Sequence, residues 1–291
     1  MKYPTPKNFL LLTLFLVSLI NLNAVILSYD SFTAGTDQAS SEYTSVADGN
    51  YRLTNGQNPA IAGFSGSWQS SGGTFLMGTT PAASLSYTDA NGSSLSTAGN
   101  SIYSASVGMA YRSFDSNVID FSTDNTYYIS FLFQVTDVTK DARIVLGNGS
   151  NVDWPEPAIR INHNPGSFSL RGGSSPGDRI IASVDTDTHL AVMKLNVNSA
   201  GTGHNVELYW DPILSSENAN TVVNAGFEAS IPTDLLLSSR NSNGEIRFDE
   251  LRIGTTWDSV TTPNAIPEPS AYALLFGALS LGIVLLRRRQ G

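Results

Sequence analysis

Cysteine is absent from all 291 residues. That one absence removes thiol catalysis, cysteine zinc sites, iron–sulfur clusters and disulfides. A chain of this size does without cross-links because its core is large enough. Charge is scarce too: Asp, Glu, Lys and Arg make up 14% of the residues, and their balance is acidic, at −9. No stripe of basic residues occurs, so nucleic acid is set aside as a partner. No long stretch repeats at helical spacing. Between short apolar runs the chain is filled by Ser, Thr, Asn and Gly.

Those runs alternate with period two. Tyr103, Ala105, Val107, Met109 and Tyr111 share one parity. Ile129, Phe131, Phe133 and Val135 alternate with Ser130 and Gln134. Ala191, Met193, Leu195 and Val197 alternate with Lys194, Asn196 and Asn198, while Leu190 and Val192 make that strand apolar on both faces at its start. Val206, Leu208 and Trp210 oppose Glu207 and Tyr209. Turn clusters such as Asn91-Gly92, Asn164-Pro165-Gly166, Ser199–Gly203 and Asn243-Gly244 separate the runs. Many strands at this spacing predict an all-β, antiparallel two-sheet sandwich. Near the end, strict alternation puts Phe248 and Leu251 on opposite faces. They share a core only if the strand carries a bulge or both its faces are covered.

The two ends read as addresses. Lys2 and Lys7 precede an apolar run from Phe9 to Ile20, and Ala24 offers a small residue for cleavage. This has the layout of a secretory signal peptide, residues 1–24. Removing it and the tail from 267 onward leaves 242 residues with 11 Lys and Arg against 24 Asp and Glu, a net charge near −13. A length of that order suits a single large β domain over 25–260, followed by a linker at 261–266. At the other end, Pro267-Glu268-Pro269 precedes sixteen largely apolar residues, 271–286, and then Arg287, Arg288 and Arg289. As a helix the apolar run spans about 24 Å, short of the roughly 30 Å hydrocarbon core. The arginines stay on the cytoplasmic side, and the two prolines stop the helix from running back into the domain.

This order of elements resembles the PEP-CTERM sorting signal of exported bacterial proteins. The resemblance implies recognition by an exosortase-type enzyme after delivery by the secretion machinery. It also implies transient attachment to the inner membrane and a final place at the cell surface or in an extracellular polysaccharide matrix. The segments "ILSYDSF", "GFSGSWQ" (63–69), "HLAVMKLNVNSAGTGHNVELYWDP" (189–212) and "IRFDELRIGTTWDSV" (246–260) together resemble the concanavalin A-like, laminin G-like jelly roll.

That second resemblance includes glucanases, which need two carboxylates about 5–5.5 Å apart for retention or about 6.5–9.5 Å for inversion. Their strand carries Glu-x-Asp-x-x-Glu. Here Glu245-Ile-Arg247-Phe-Asp249-Glu250 puts an arginine where the middle acid belongs. Asp249 and Glu250, being adjacent, point to opposite faces of a strand. The segment therefore reads as a structural signature, and no catalytic residue is assigned. Asp153-Trp154-Pro-Glu156-Pro is the candidate carbohydrate contact, an indole on a rigid loop between two acceptors. Asp185 and Asp187 offer a weak oxygen pair for Ca²⁺; no other cofactor is implied. His163, His189 and His204 lack zinc-type spacing, Gly63-Phe-Ser65-Gly66-Ser67 misses the nucleophile elbow, and Trp68 and Trp257 are expected in the core. The reading is a non-catalytic, polysaccharide-associated surface protein. The alternative is a carbohydrate-active enzyme, a glycoside hydrolase or lyase, whose acids are dispersed. Two carboxylates facing each other within about 10 Å on a sheet face would favour it.

Overall fold

The computed structural model describes residues 26–33, 51–53, 61–72, 75–78, 82–147, 158–162, 166–171, 179–200, 204–227 and 232–262. The expected signal segment 1–24, the expected sorting tail with Pro267, Glu268, Pro269 and Arg287–Arg289, and the segment bearing Asp153, Trp154 and Glu156 lie outside them. Among the described residues no helix is long and apolar enough to cross a membrane.

The strands are β1 (Ile26–Asp30), β2 (Tyr51–Arg52), β3 (Phe64–Gly72), β4 (Leu76–Gly78), β5 (Ala82–Ala83), β6 (Asn100–Ser104), β7 (Gly108–Phe114), β8 (Asn125–Val135) and β9 (Ala142–Gly147). They continue as β10 (Ala158–Asn162), β11 (Ser167–Arg171), β12 (Arg179–Ser183), β13 (His189–Val197), β14 (His204–Trp210), β15 (Val222–Phe227), β16 (Asp234–Ser239) and β17 (Ile246–Gly254), and one short helix, α1 (Trp257–Thr261), follows. Among the described residues they pair into two sheets. One runs β15-β14-β13-β8-β17-β6-β4-β2, with β1 also on β17 and β5 on β6; the other runs β12-β11-β10-β9-β16-β7-β3. Both are antiparallel throughout.

The sheets pack face to face. Phe131, Phe133, Met193, Leu208 and Phe248 of the larger sheet share one core with Ile144, Phe168, Leu235 and Leu237 of the smaller. The opposite face of the larger sheet is covered as well. Leu85, Tyr87 and Leu95 from the 84–98 segment, Leu214, and Trp257 and Val260 of α1 bury Tyr128, Leu132, Leu190, Val192 and Tyr209. Double coverage explains why β8 carries Tyr128 and Leu132 opposite its core-facing parity and why the start of β13 is apolar on both faces, since each large side chain removed from water contributes about 1.5–3 kcal/mol. The helix that closes this face begins with a capping box between Thr256 and Ser259, and the Trp257 indole N–H donates to the Leu214 carbonyl at 2.9 Å. Trp257 and Trp68 are both core residues, as expected.

One expected strand is two. The alternation from Tyr103 to Tyr111 crosses a turn at 105–107, with β6 in one sheet and β7 in the other. Val107 sits on that turn, 57% exposed. In β7 the core-facing parity is Ala110, Arg112 and Phe114, whereas Met109 and Tyr111 pack on the outer face against Val145 and Leu236. Arg112 broke the polarity pattern: it is buried beneath the Phe64 ring, 5.2 Å from its centroid, and its Nε donates to the Gly66 carbonyl at 3.0 Å.

The bulge in the last strand is present. Asp249 pairs with Leu132 and Arg252 with Ser130, so two residues of β17 stand against one of β8. Glu250 takes a left-handed φ of 53°, and Phe248 and Leu251 both reach the common core. The bulge lies in mid-sheet, where one neighbour hands over to another. On the side away from β8, Ile246–Phe248 pair with β6, and Leu251–Gly254 pair with β1. The seam between β6 and β1 is tight: the Asn100 amide donates to the Ser31 carbonyl, and a Cβ on Gly99 would stand 2.1 Å from that same oxygen. Only glycine fits there, at a φ of 66°.

Candidate functional site

The acids of the glucanase-like segment are spent on structure. Glu245 pairs with Arg247, Oε2 to Nη2 at 3.0 Å. Asp249 is fully buried on the covered face of the larger sheet. Its Oδ2 meets the Leu85 amide at 2.6 Å and the Ser84 hydroxyl at 2.7 Å, and its Oδ1 accepts from the Glu250 amide at 2.8 Å. Burial and the neighbouring Glu250 push this carboxyl up to about 8, against those hydrogen bonds. Glu250, equally buried, fills the seam between β6 and β1. It accepts from the Ala98 amide at 2.5 Å, the Tyr29 hydroxyl at 3.1 Å and Arg252 Nη2 at 2.8 Å. Arg252 Nη2 also donates to the Ser96 carbonyl, and the guanidinium lies over the Tyr29 ring. The Glu250–Arg252 pair thus fills the gap beside the bulge, where β17 passes from β6 to β1.

A second polar group was not visible in the sequence. It lies on the outer face of the larger sheet, beside the apolar cover. β13 and β14 pair Lys194 with Glu207, β8 brings Tyr128 opposite Lys194, and the loop after β14 brings Glu217 over them. The Tyr209 hydroxyl reaches Glu217 Oε1 at 2.7 Å and Glu207 Oε2 at 3.1 Å. Lys194 Nζ lies 2.7 Å from Glu217 Oε1 and 3.7 Å from Glu207 Oε2, and the Tyr128 hydroxyl donates to Glu217 Oε2 at 2.9 Å. Contact with one phenol oxygen, at 2.7 and 3.1 Å, brings the two carboxylates together on this face. Burial works against the charge on Glu217, yet Lys194 and the two phenols outweigh it and hold the carboxyl below its usual range. Burial, and then the Glu217 carboxylate to which it donates, raise the Tyr128 phenol to about 12. A general acid needs the opposite displacement.

Asp185 and Asp187 share the turn before β13, but Asp185 is engaged. Its Oδ1 accepts from the Asp187 amide at 2.8 Å and lies 2.8 Å from His189 Nε2. Among the described residues no group of three or more His, Asp or Glu is placed to hold a metal ion. His189, which the sequence offered only as a failed zinc ligand, is instead held between Asp185 and Asp211.

No protein-family model matches this chain, and no curated protein does. Among solved structures, a carbohydrate esterase from the Shiga toxin-encoding bacteriophage phi24B is 12% identical over 65% of this chain and 90% of that chain, with a TM-score of 0.39. The binding domain of botulinum neurotoxin DC in complex with rat synaptotagmin II is 8% identical over 75% of this chain and 51% of that one, at 0.41. That of serotype D is 10% identical over 63% and 46%, at 0.37. The chain thus spans about half the length of these toxin domains. The two-sheet architecture rests on the strand pairing itself.

Proposed function

We propose that this is an exported β-sandwich of the concanavalin A-like jelly-roll type that associates with extracellular polysaccharide and does not catalyse its breakdown. An exosortase-type enzyme acts on the 267–291 tail, which holds the protein transiently in the inner membrane before it reaches the surface or the matrix. The export and sorting part is supported by the paired signals at the two ends. The non-catalytic part is carried by one observation: Asp249 and Glu250, the acids of the strand that aligns with the glucanase motif, are fully buried and engaged in joining β17 to its neighbours. Asp153, Trp154 and Glu156 supply the proposed sugar contact. Intact mass of the protein from its own host, measured separately on membrane, surface and medium fractions, tests this reading. A species lacking both the first 24 or so residues and everything beyond Pro267–Pro269 is expected. A membrane-bound species retaining Arg287–Arg289 would overturn the sorting step.

One observation favours a glycoside-cleaving alternative: Glu207 and Glu217 approach each other on a sheet face. Incubating the full chain with the host's own extracellular polysaccharide is expected to release no new reducing ends above those from Glu217→Gln. Release by the parent chain alone would establish the enzyme and sink the binding-only reading.

A further inference from the structure

We propose that Asp185, His189 and Asp211 form a pH-operated latch that pins the 184–188 connection to the β13–β14 end of the sandwich, closed while the imidazole carries a proton on each nitrogen and loosened once one is lost. The latch is independent of what the sandwich binds.

His189 opens β13 with its ring 6% exposed. The ring lies against Trp210 of β14 at 4.8 Å between centroids, Phe168 of β11 at 5.0 Å and Phe133 of β8 at 5.7 Å. Its Nδ1 is 2.7 Å from Asp211 Oδ2 and its Nε2 2.8 Å from Asp185 Oδ1. An ionised carboxylate only accepts, so both contacts require N–H, and only the imidazolium has two. The elements packed on the ring from the two sheets present Phe133 and Phe168, so among the described residues Asp185 and Asp211 are the charged groups that face it. Burial in this aromatic box works against the proton, but the two carboxylates outweigh it and raise the imidazole above its ordinary value of 6.5.

The two carboxylates are not equally fixed. Asp211 Oδ1 accepts from the Leu190 amide at 3.0 Å, its own amide donates to the Leu190 carbonyl at 2.9 Å, and its backbone is held at a left-handed φ of 45°. Asp185 has half its side chain exposed and is tied beyond the ring to the Asp187 amide of its own turn. A neutral ring therefore keeps Nδ1–H on Asp211 and turns a lone pair toward Asp185, which moves away. The connection then hangs on the Gln134 side-chain donation to the Thr186 carbonyl at 3.0 Å and the Val184 amide donation to the Gly166 carbonyl at 2.9 Å. Because the folded value is raised, the latch is complete below about pH 6.5 and is lost as pH rises through the folded value.

The test follows His189 in the full chain labelled with ¹⁵N-histidine, together with amide exchange at Asp187 and Leu190 corrected for base catalysis. Both ring nitrogens should stay protonated at pH values where an ordinary histidine is half neutral. Protection at Asp187 should fall about tenfold or more through the ring's own midpoint, while Leu190 keeps its protection. Asp185→Asn, at a half-exposed position that tolerates change, should lower the ring midpoint by about one pH unit, as expected for removal of one close opposite charge. A midpoint at or below 6.5, or a raised midpoint with Asp187 exchange unchanged across it, would overturn the latch.

Discussion

Arg252→Met is expected to lower the stability of the full chain by about 3–5 kcal/mol, because it leaves the Glu250 carboxylate buried without its counter-charge. Both side chains are almost wholly buried, and the arginine also closes on the Ser96 and Thr262 carbonyls. The pair is not worth that much in net terms, since desolvation offsets most of its attraction. The asymmetry between breaking one partner and replacing both supplies the test. Glu250→Gln made in the Arg252→Met background should recover part of the loss, giving a coupling on the order of 1–3 kcal/mol. Urea unfolding midpoints at constant slope, taken on Arg252→Met, on Glu250→Gln alone and on the double variant, measure the cycle. A single-variant loss under about 1 kcal/mol, or strictly additive effects, would mean that the bulge holds without the pair.

Asp249 carries the second large effect, and here the variable is pH. Its carboxyl has an ordinary value of 3.8 and is pushed up to about 8 in the folded protein. The folded state therefore binds a proton that the unfolded chain has already released. The associated stability is fully present below about pH 4 and is lost as pH rises through 8, with an upper bound on the order of 5 kcal/mol. Asp249→Asn keeps one accepting oxygen but turns its amide nitrogen toward either the Leu85 or the Glu250 amide. It should accordingly be less stable than the parent at pH 5, by about 1–3 kcal/mol for a buried donor left unmatched. Its stability should nevertheless lack the parent's decline between pH 5 and 8, so the two curves converge on the alkaline side. Parallel curves in that interval would show that Asp249 is ionised when folded.

The strands legible in the sequence were those whose two faces differ or are both apolar throughout. β8, β13 and β14 announce themselves because Ile129–Val135, Ala191–Val197 and Val206–Trp210 keep one parity from end to end. Tyr103–Tyr111 misleads because alternation records polarity and not chain direction. A three-residue turn preserves the parity while the chain changes sheets, and Arg112 takes a core-facing place that polarity assigns to solvent. At the bulge, the conflict between Phe248 and Leu251 was readable, but its position opposite the β6-to-β1 handover was not, because that depends on a strand 220 residues earlier in the chain. The site shows the same division. Asp185 was singled out by local spacing. Its partners were missed because a search for metal ligands asks histidine for other histidines. The signal was there in the turn-forming sequence between two alternating runs: β14 pairs antiparallel with β13 and sets Ala191 beside Trp210, so that His189 and Asp211 share one end. Glu217 left no such trace, since it comes over the sheet from a loop.

The place of β16 and β17 has a consequence in time. In both sheets the closing strand is among the last to be made: β16 joins β7 to β9, and β17 joins β6 and β1 to β8. A chain that emerges amino-terminus first can pair β8 with β13 through β15, β9 with β10 through β12, and β3 with β7, but these blocks stay unjoined until β16 and β17 have appeared. Pairings across such distances form slowly, because the intervening chain must be ordered before the contact repays it. Each sheet therefore remains in separate blocks for most of synthesis and closes only when its late strand arrives.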